Sequence, residues 1–232
     1  MALVLGLALL TGCRSSAVRS FWDKVPLLED DLAVSEDRFA DFAELTADAS
    51  QEDALYGLDR LFDRLEQDAV AYFIYVEWME AAFYNPFSPC RNQALFSHAV
   101  DRIVTGGILM EDEYAPLLQR KEWMGFNLAG TPAVVPGVNL QGERTLVLVL
   151  DLSCPSCREA LSAFDDPQWE GLRRVAVCCG HGPEPSVAHW EYIIPEHADA
   201  VFDRHMTPVY FVVSADGVVE RTYTLIRQNE KD

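Results

Sequence analysis

The sequence predicts a small all-α domain followed by an α/β domain, and three observations lead to this prediction. Between residues 35 and about 126, apolar residues recur at three- and four-residue spacing, which is typical of amphipathic helices. After Gly130 they form short continuous runs instead, as in strands that are buried on both faces. Strand and helix patterns then follow one another in the order β-α-β-α-β-β, which indicates a layered domain with a buried central sheet.

The helical domain is predicted to cover residues 35–128 and to contain four or five helices with short connections. Ser35 is predicted to cap the first helix, and Ser50 with Asp53 three residues later resembles a capping box at the second. Asp68 begins the third helix, which a proline-containing segment then breaks. The last two predicted helices cover roughly residues 89–104 and 112–126.

The α/β domain is predicted to cover residues 129–232. Its first apolar run is continuous, as expected for a central strand that is buried on both faces. A Ser-Ala-Asp-Gly turn between the last two apolar runs predicts a hairpin. The predicted elements are strands at 146–150, 175–178, 208–213 and 218–224, a helix at 155–164, and a largely helical stretch at 187–204.

The chain begins with an apolar run, residues 2–10, which is too short to cross a membrane because spanning needs about 20 residues. Runs of this length are typical of secretion signals. Residues 10–13, Leu-Thr-Gly-Cys, resemble the bacterial lipobox. That resemblance implies that residues 1–12 are removed, that Cys13 carries lipid, and that residues 13–34 form a tether. An ordinary signal peptide with a chance cysteine is the alternative.

Composition and charge exclude several classes of protein. Half of the 232 residues are hydrophobic, so the chain is able to bury a core and is not disordered throughout. The 37 acidic and 18 basic residues give a formal net charge of −19. Because this charge repels a polyanion, no nucleic acid is expected among the partners.

The cysteine count is that of an envelope protein with at least one free thiol. Disulfides persist in the oxidising bacterial envelope. Lipidation of Cys13 leaves five of the six cysteines. Because disulfides join cysteines in pairs, a purely structural set of disulfides would leave one of the five unpaired. The remaining five are Cys90, Cys154, Cys157, Cys178 and Cys179.

Cys154, Pro155, Ser156 and Cys157 stand where the first predicted strand gives way to a helix. With Cys154 at the N-cap, Pro155 occupies the first helical position, where its missing N–H has no cost. The N–H of Cys157 then points at the sulfur of Cys154, and this contact, together with the positive helix end, lowers the pKa of that thiol. Cys157 is placed to resolve a mixed disulfide. The pattern predicts redox activity, with a structural disulfide and a metal site as alternatives.

This motif and the Thr207-Pro208 pair before the hairpin resemble the thioredoxin-like domain of envelope-anchored TlpA/ResA-type proteins. The helical half, through residues 85–92 and 130–133, resembles an uncharacterised domain that precedes such domains in bacterial lipoproteins. The resemblance implies that Pro208 follows a cis peptide bond, packs against the cysteine pair and, with Thr207, helps to bind the partner chain.

The expected function is thiol–disulfide exchange in the cell envelope, without a cofactor or a metal. Cys154 would attack and Cys157 would resolve, on envelope proteins that carry thiols or disulfides. A protein working as a reductant there would need a membrane electron donor. The lipid on Cys13 would hold the chain on a membrane, facing the periplasm.

Departures from the family pattern support a rival hypothesis, a lipid-anchored binding or scaffold protein that keeps the fold without catalysis. Ser153 stands where the family usually has an aromatic residue, and Leu148 stands where thioredoxin has a buried acid. Asp151 is closer to the motif, but we expect it to be solvated at the strand end. The C-terminal helix of the family is cut to residues 226–232 at most.

The other candidate residues have a structural interpretation and a functional one. Cys178 and Cys179 are predicted to be small buried side chains at a strand end, with a second redox pair as the alternative. His205 either borders the site or lies on the surface at a helix end. A zinc site would take the ligand set Cys154, Cys157, Cys179 and His181, whose spacing matches no usual zinc module.

Overall fold

The computed structural model describes residues 17–154, 157, 161, 164, 169–180 and 189–223. The predicted signal peptide, Cys13, Pro155, Ser156 and His181 lie outside these residues. The chain divides into two compact units, residues 1–121 and residues 122–232, whereas the sequence placed the boundary after residue 128. None of the helices in the described part of the chain is both long and apolar enough to cross a membrane.

The first unit is a helical bundle. A π-helical turn, Glu80–Tyr84, continues the third helix directly. After residue 31 its α-helices are α1 (Leu32–Ala47), α2 (Gln51–Leu65), α3 (Ala69–Met79), α4 (Gln93–Gly106) and α5 (Glu111–Gly125), of which the last four residues belong to the second unit.

Two of the predicted helix starts are confirmed, and two are displaced. Ser50 accepts a hydrogen bond from the N–H of Asp53, and Asp68 caps α3 in the same way. The first helix is capped by Asp31 rather than by Ser35, because Ser35 is buried and its Oγ accepts from the N–H of Glu29 at 2.8 Å. The fourth helix begins at Gln93 after its cap, Asn92, four residues later than the predicted first helical position at Pro89.

Part of the segment expected to be a tether packs on the bundle instead. Val18 and Trp22 are fully buried. The Trp22 ring lies 5.2 Å from the ring of Phe42 in α1, in an edge-to-face arrangement that adds to the apolar burial. Arg64 of α2 donates to the carbonyls of Trp22 and Val25. These contacts order the chain before α1.

The second unit is built on a five-stranded mixed sheet in the order β3-β2-β1-β4-β5. Strand β1 is parallel to β2, and β2 is parallel to β3. Strand β4 is antiparallel to both β1 and β5. The strands are β1 (Thr145–Asp151), β2 (Arg173–Cys179), β3 (Glu191–Ile193), β4 (Val209–Val213) and β5 (Val219–Tyr223).

The prediction of a largely helical stretch at 187–204 is wrong in its described part, residues 189–204. This part contains β3 and a short 3-10 turn, Ala198–Ala200. Strand β3 pairs with the free edge of β2, with Val177 opposite Ile193. Pro195 follows the strand and lacks the N–H that a continuing helix would need.

The sheet separates two apolar layers, because successive side chains of a strand point to opposite faces. Leu148 and Leu150 of β1 face a layer that includes Cys157 and Cys178. Val147 and Val149 face the other layer, which includes Cys179, Phe202 and Phe211. Strand β1 is buried on both faces, as predicted from its continuous apolar run. The predicted fold class, an all-α part followed by an α/β part, is confirmed.

Candidate active site

The carboxyl end of β1 carries the cysteine pair. After Asp151 the chain leaves the sheet in a turn, in which the N–H of Leu152 donates to the carbonyl of Cys179 at 3.0 Å. The N–H of Cys154 donates to the carbonyl of Asp151 at 3.1 Å. These two bonds place Cys154 directly beyond the end of the central strand. Its sulfur is not part of a disulfide, and the residue is partly exposed.

Cys157 lies inside the protein, in contrast to Cys154. Cys157 is helical and has no exposed surface, and its sulfur is not part of a disulfide either. Its Sγ donates a hydrogen bond to Oγ1 of Thr207 at 3.4 Å. The predicted helix at 155–164 is described only at Cys157 and Leu161, which are helical, and at Phe164, which lies in a turn.

The surroundings of Cys157 favour its protonated form. Burial raises the pKa of this thiol, and so does its hydrogen bond to Cys154. Hydrogen bonds from the Thr207 hydroxyl and from the backbone of Asp151 lower the pKa of Cys157 and so oppose the effect of burial. The hydroxyl is able to turn and donate to a thiolate. The net pKa of Cys157 is raised, so this thiol holds its proton to a higher pH than an exposed thiol does.

Thr207 and Pro208 lie beside the cysteine pair. Their peptide bond is cis, as the resemblance implied. Val209, the next residue, pairs with Val149 in the antiparallel β1–β4 register, so the Thr207-Pro208 segment lies at the end of the sheet where β1 terminates. Thr207 is buried, whereas Pro208 is partly exposed. The fold therefore brings Thr207 to Cys157, 50 residues away in the chain.

Sequence reasoning missed the local role of Asp151, which we expected to be solvated. Its Oδ1 accepts hydrogen bonds from both the N–H and the hydroxyl of Ser153, at 2.7 and 2.6 Å. An Asp followed two residues later by an N–H that it binds is a common turn arrangement, so Asp151 and Ser153 carried a local signal. His205 is exposed on a 3-10 turn and acts electrostatically on Asp151, so it borders the site.

The remaining cysteines are buried or distant from this turn in sequence. Cys178 and Cys179 point into opposite layers of the sheet, as adjacent strand residues must. Burial, reinforced by Cys178 and Asp151, raises the pKa of Cys179 to about 12. Burial also raises the pKa of Cys90 in the helical unit. Their surroundings favour the structural interpretation over a second redox pair.

Metal ligation finds no support in the part of the chain that the structure describes. There, no three His, Cys, Asp or Glu side chains are grouped so that they could hold a metal ion. His181, the fourth member of the zinc set considered from the sequence, lies outside the described residues.

The strand order, the cysteine pair after the central strand and the cis-proline beside it define a thioredoxin-like fold. A solved structure agrees with this assignment: the crystal structure of a thioredoxin-like protein from Bacteroides caccae superposes with a TM-score of 0.73. The two chains are 14% identical, and the match covers 94% of this chain and 90% of the other. The chain therefore has a thioredoxin-like fold.

Comparisons at the level of sequence add nothing to this result. No protein-family model matches the chain, and no curated protein matches it. The similarity between the two structures is one of fold, and a shared fold does not imply a shared chemistry.

Proposed function

We propose that this chain is a thiol–disulfide oxidoreductase that exchanges disulfides with partner proteins through Cys154 and Cys157. One observation carries the proposal: of the two thiols of the CxxC pair, Cys154 is partly exposed, and Cys157 is buried with its Sγ 3.4 Å from Oγ1 of Thr207. This difference in exposure assigns different roles to the two sulfurs.

Cys154 is the attacking thiol. Its thiolate forms a bond to one sulfur of a partner disulfide, the partner's S–S bond breaks, and the other partner sulfur leaves as a thiolate that takes a proton from water. Cys157 then loses its proton and attacks the sulfur of Cys154. The second partner thiolate leaves, and Cys154 and Cys157 are joined in a disulfide.

The net reaction transfers two electrons from the cysteine pair to the partner disulfide. A reducing thiol must then restore the pair, and for an envelope protein a membrane electron donor is the proposed source. The same steps in reverse oxidise a partner dithiol. The reduction potential of the Cys154/Cys157 couple sets the preferred direction.

Partner recognition is assigned to Thr207 and Pro208. Pro208 is partly exposed beside the cysteine pair, and it presents a backbone without an N–H donor to an approaching chain. The resemblance to TlpA/ResA-type proteins supports this assignment. The partners are envelope proteins that carry accessible thiols or disulfides.

The proposed location is the cell envelope, with the chain held on a membrane by lipid on Cys13 and facing the periplasm. The apolar run at 2–10 and the lipobox-like residues 10–13 support this proposal. Mass spectrometry of the mature N-terminus tests it: a diacylated Cys13 is expected, and an unmodified N-terminus at any other residue contradicts it.

A non-catalytic binding or scaffold protein is the second candidate, and one observation favours it. Leu148 is fully buried in the same apolar layer as Cys157, so no acid stands at the strand position from which thioredoxin supplies one. Under this hypothesis the fold serves recognition, and the thiols contribute little to turnover.

Insulin reduction with dithiothreitol separates the two candidates. We expect the wild-type chain to accelerate the precipitation of reduced insulin, and Cys154→Ser to lose this activity. Cys90→Ser is the matched control, since it removes a partly buried thiol from the helical unit. Equal rates for the wild type and for Cys154→Ser would support the scaffold protein instead.

A further inference from the structure

The Asp151 carboxylate lies at the turn that leads from β1 to the cysteine pair. Its Oδ1 accepts from the N–H of Ser153 at 2.7 Å and from the hydroxyl of Ser153 at 2.6 Å. The backbone carbonyl of the same residue accepts from the N–H of Cys154 at 3.1 Å. Asp151 therefore holds the two residues that determine where the Cys154 sulfur lies.

Packing of the Ser153 side chain does not hold this turn. Ser153 is small and exposed, so it buries little apolar surface that would fix the backbone. Both of its donors bind one carboxylate oxygen, and hydrogen bonds to a charged acceptor are roughly twice as strong as bonds between neutral groups. The Asp151 side chain thus adds two hydrogen bonds to the backbone bonds of Leu152 and Cys154 that hold the turn.

Gly180 provides the space in which this carboxylate lies. Asp151 pairs with Cys179 at the end of the β1–β2 register, so the next residue of the second strand, Gly180, comes beside the Asp151 side chain. A Cβ atom at residue 180 would lie 2.7 Å from Oδ1 of Asp151. Gly180 also has a φ of +73°, a conformation that other residues rarely adopt.

The charged groups around Asp151 keep it ionised. Partial burial raises its pKa, but the two bonds from Ser153 and the electrostatic effect of Arg204 and His205 outweigh burial, so the net pKa is lowered. From β2, the Cys179 thiol also faces this carboxylate. A carboxylate with a lowered pKa is a poor base. Asp151 therefore does not take over the role of the buried acid that thioredoxin has at the position of Leu148.

We infer that Asp151 is a positioning residue for Cys154, which acts by binding Ser153 and so fixes the attacking sulfur in its reactive position. This inference rests on the proposed function. It assigns a role to a residue whose carboxylate binds Ser153 and whose backbone carbonyl binds the N–H of Cys154.

The test is the pH profile of Cys154 alkylation by iodoacetamide, read on the Cys154 peptide by mass spectrometry in the full chain. We expect the wild-type midpoint to lie below the ordinary thiol value of about 8.5. Asp151→Ala removes the acceptor and is expected to move the midpoint up toward that value. Asp151→Asn keeps an oxygen acceptor and loses the negative charge, so its midpoint should stay within a few tenths of a unit of wild type or fall.

Ser153→Ala provides a second measurement, because it removes the hydroxyl bond and keeps the N–H bond. It should raise the midpoint by less than Asp151→Ala does, and together with Asp151→Asn it decides the question if Asp151→Ala fails to fold. Unmoved midpoints in both alanine variants would overturn the inference, and so would an Asp151→Asn midpoint as high as that of Asp151→Ala.

The wild-type profile separates failure of this inference from failure of the proposed function. A wild-type midpoint at about 8.5, together with no insulin reduction, overturns both. A lowered wild-type midpoint that survives Asp151→Ala overturns the positioning role alone and leaves thiol–disulfide exchange in place.

Discussion

The Sγ atom of Cys157 lies 3.4 Å from the Oγ1 atom of Thr207, and that hydroxyl donates in turn to the carbonyl of Arg204 at 2.8 Å. This chain of contacts links the buried thiol of the pair to the segment before the cis peptide bond. The proposed resolving sulfur and Thr207, one of the two proposed partner-binding residues, are therefore parts of one hydrogen-bonded unit.

Thr207→Val is expected to slow the resolving step. The substitution keeps the β-branched shape and removes the hydroxyl, which lowers the pKa of Cys157 against the effect of burial. A hydrogen bond contributes about 0.5–1.5 kcal/mol, and about 1.4 kcal/mol corresponds to one pKa unit. We expect up to about tenfold slower conversion of the Cys154–glutathione mixed disulfide into the Cys154–Cys157 disulfide, measured by acid quench and mass spectrometry.

Thr207→Ser is the matched control, because it keeps the hydroxyl that contacts Cys157. Its resolution rate should lie within about twofold of wild type, since the same hydrogen bond remains available. The role assigned to the hydroxyl fails if the Val and Ser variants resolve equally fast.

Cys157→Ser is expected to accumulate the mixed disulfide. Without the second thiol, the bond between Cys154 and a partner sulfur has no internal nucleophile to break it. Incubation with glutathione disulfide should leave one glutathione on Cys154, which dithiothreitol removes. A double variant that also carries Cys154→Ser should acquire none. Glutathione bound equally by the single and the double variant would point to another cysteine and contradict the assignment of Cys154.

Local signals in the sequence account for the elements that were predicted correctly. The apolar run at 146–150 is the middle of the buried strand β1, and Ser50 and Asp68 cap the helices that they were expected to cap. The cysteine pair follows β1 as predicted. Each of these features depends on residues a few positions apart, whose side-chain types carry the information.

Contacts between distant residues explain what the sequence did not predict. Strand β3 forms because the edge of β2 offers unpaired backbone groups, and a three-residue strand has no strong pattern of its own. The carboxylate of Asp151 is held against Gly180 by the pairing of two strands. Trp22 packs against Phe42, 20 residues later, so its segment is not a free tether. Single-sequence patterns do not report such pairings.

Gly57→Ala tests the packing of the segment before α1. A Cβ atom at residue 57 would lie 2.8 Å from the carbonyl oxygen of Val18 and 3.1 Å from Cε2 of Phe42. Although alanine favours a helix by about 1 kcal/mol, this overlap with backbone is expected to destabilise the chain by about 1–3 kcal/mol. The measurement is the free energy of unfolding in urea, followed by circular dichroism.

Gly125→Ala is the control for that experiment, because a Cβ at the end of α5 would meet no atom within 4 Å among the described residues. It should be neutral or stabilising by up to about 1 kcal/mol. Equal stabilities for the Gly57 and Gly125 variants would mean that residues 17–31 do not pack closely on α2.

The buried hydroxyl of Tyr75 predicts a loss of stability at alkaline pH. It donates to the carbonyl of Leu27 at 2.7 Å, and burial raises the pKa of Tyr75 to about 12, although Arg38 and Arg64 act against the rise. In the unfolded chain this pKa is about 10. Between these values the unfolded state binds fewer protons than the folded state, so the free energy of unfolding falls as the pH rises from about 10 to about 12.

Tyr75→Phe is expected to change both the level and the slope of this dependence. At about pH 8 it should be less stable by about 1–3 kcal/mol, because the buried carbonyl of Leu27 loses its donor. Above pH 10 its stability should fall less steeply than that of the wild type, since one buried phenol no longer ionises on unfolding. Urea unfolding at several pH values measures both, with the exposed Tyr56→Phe as the control that should leave them unchanged. Identical slopes for the wild type and Tyr75→Phe would show that the Tyr75 phenol is not held protonated by the fold.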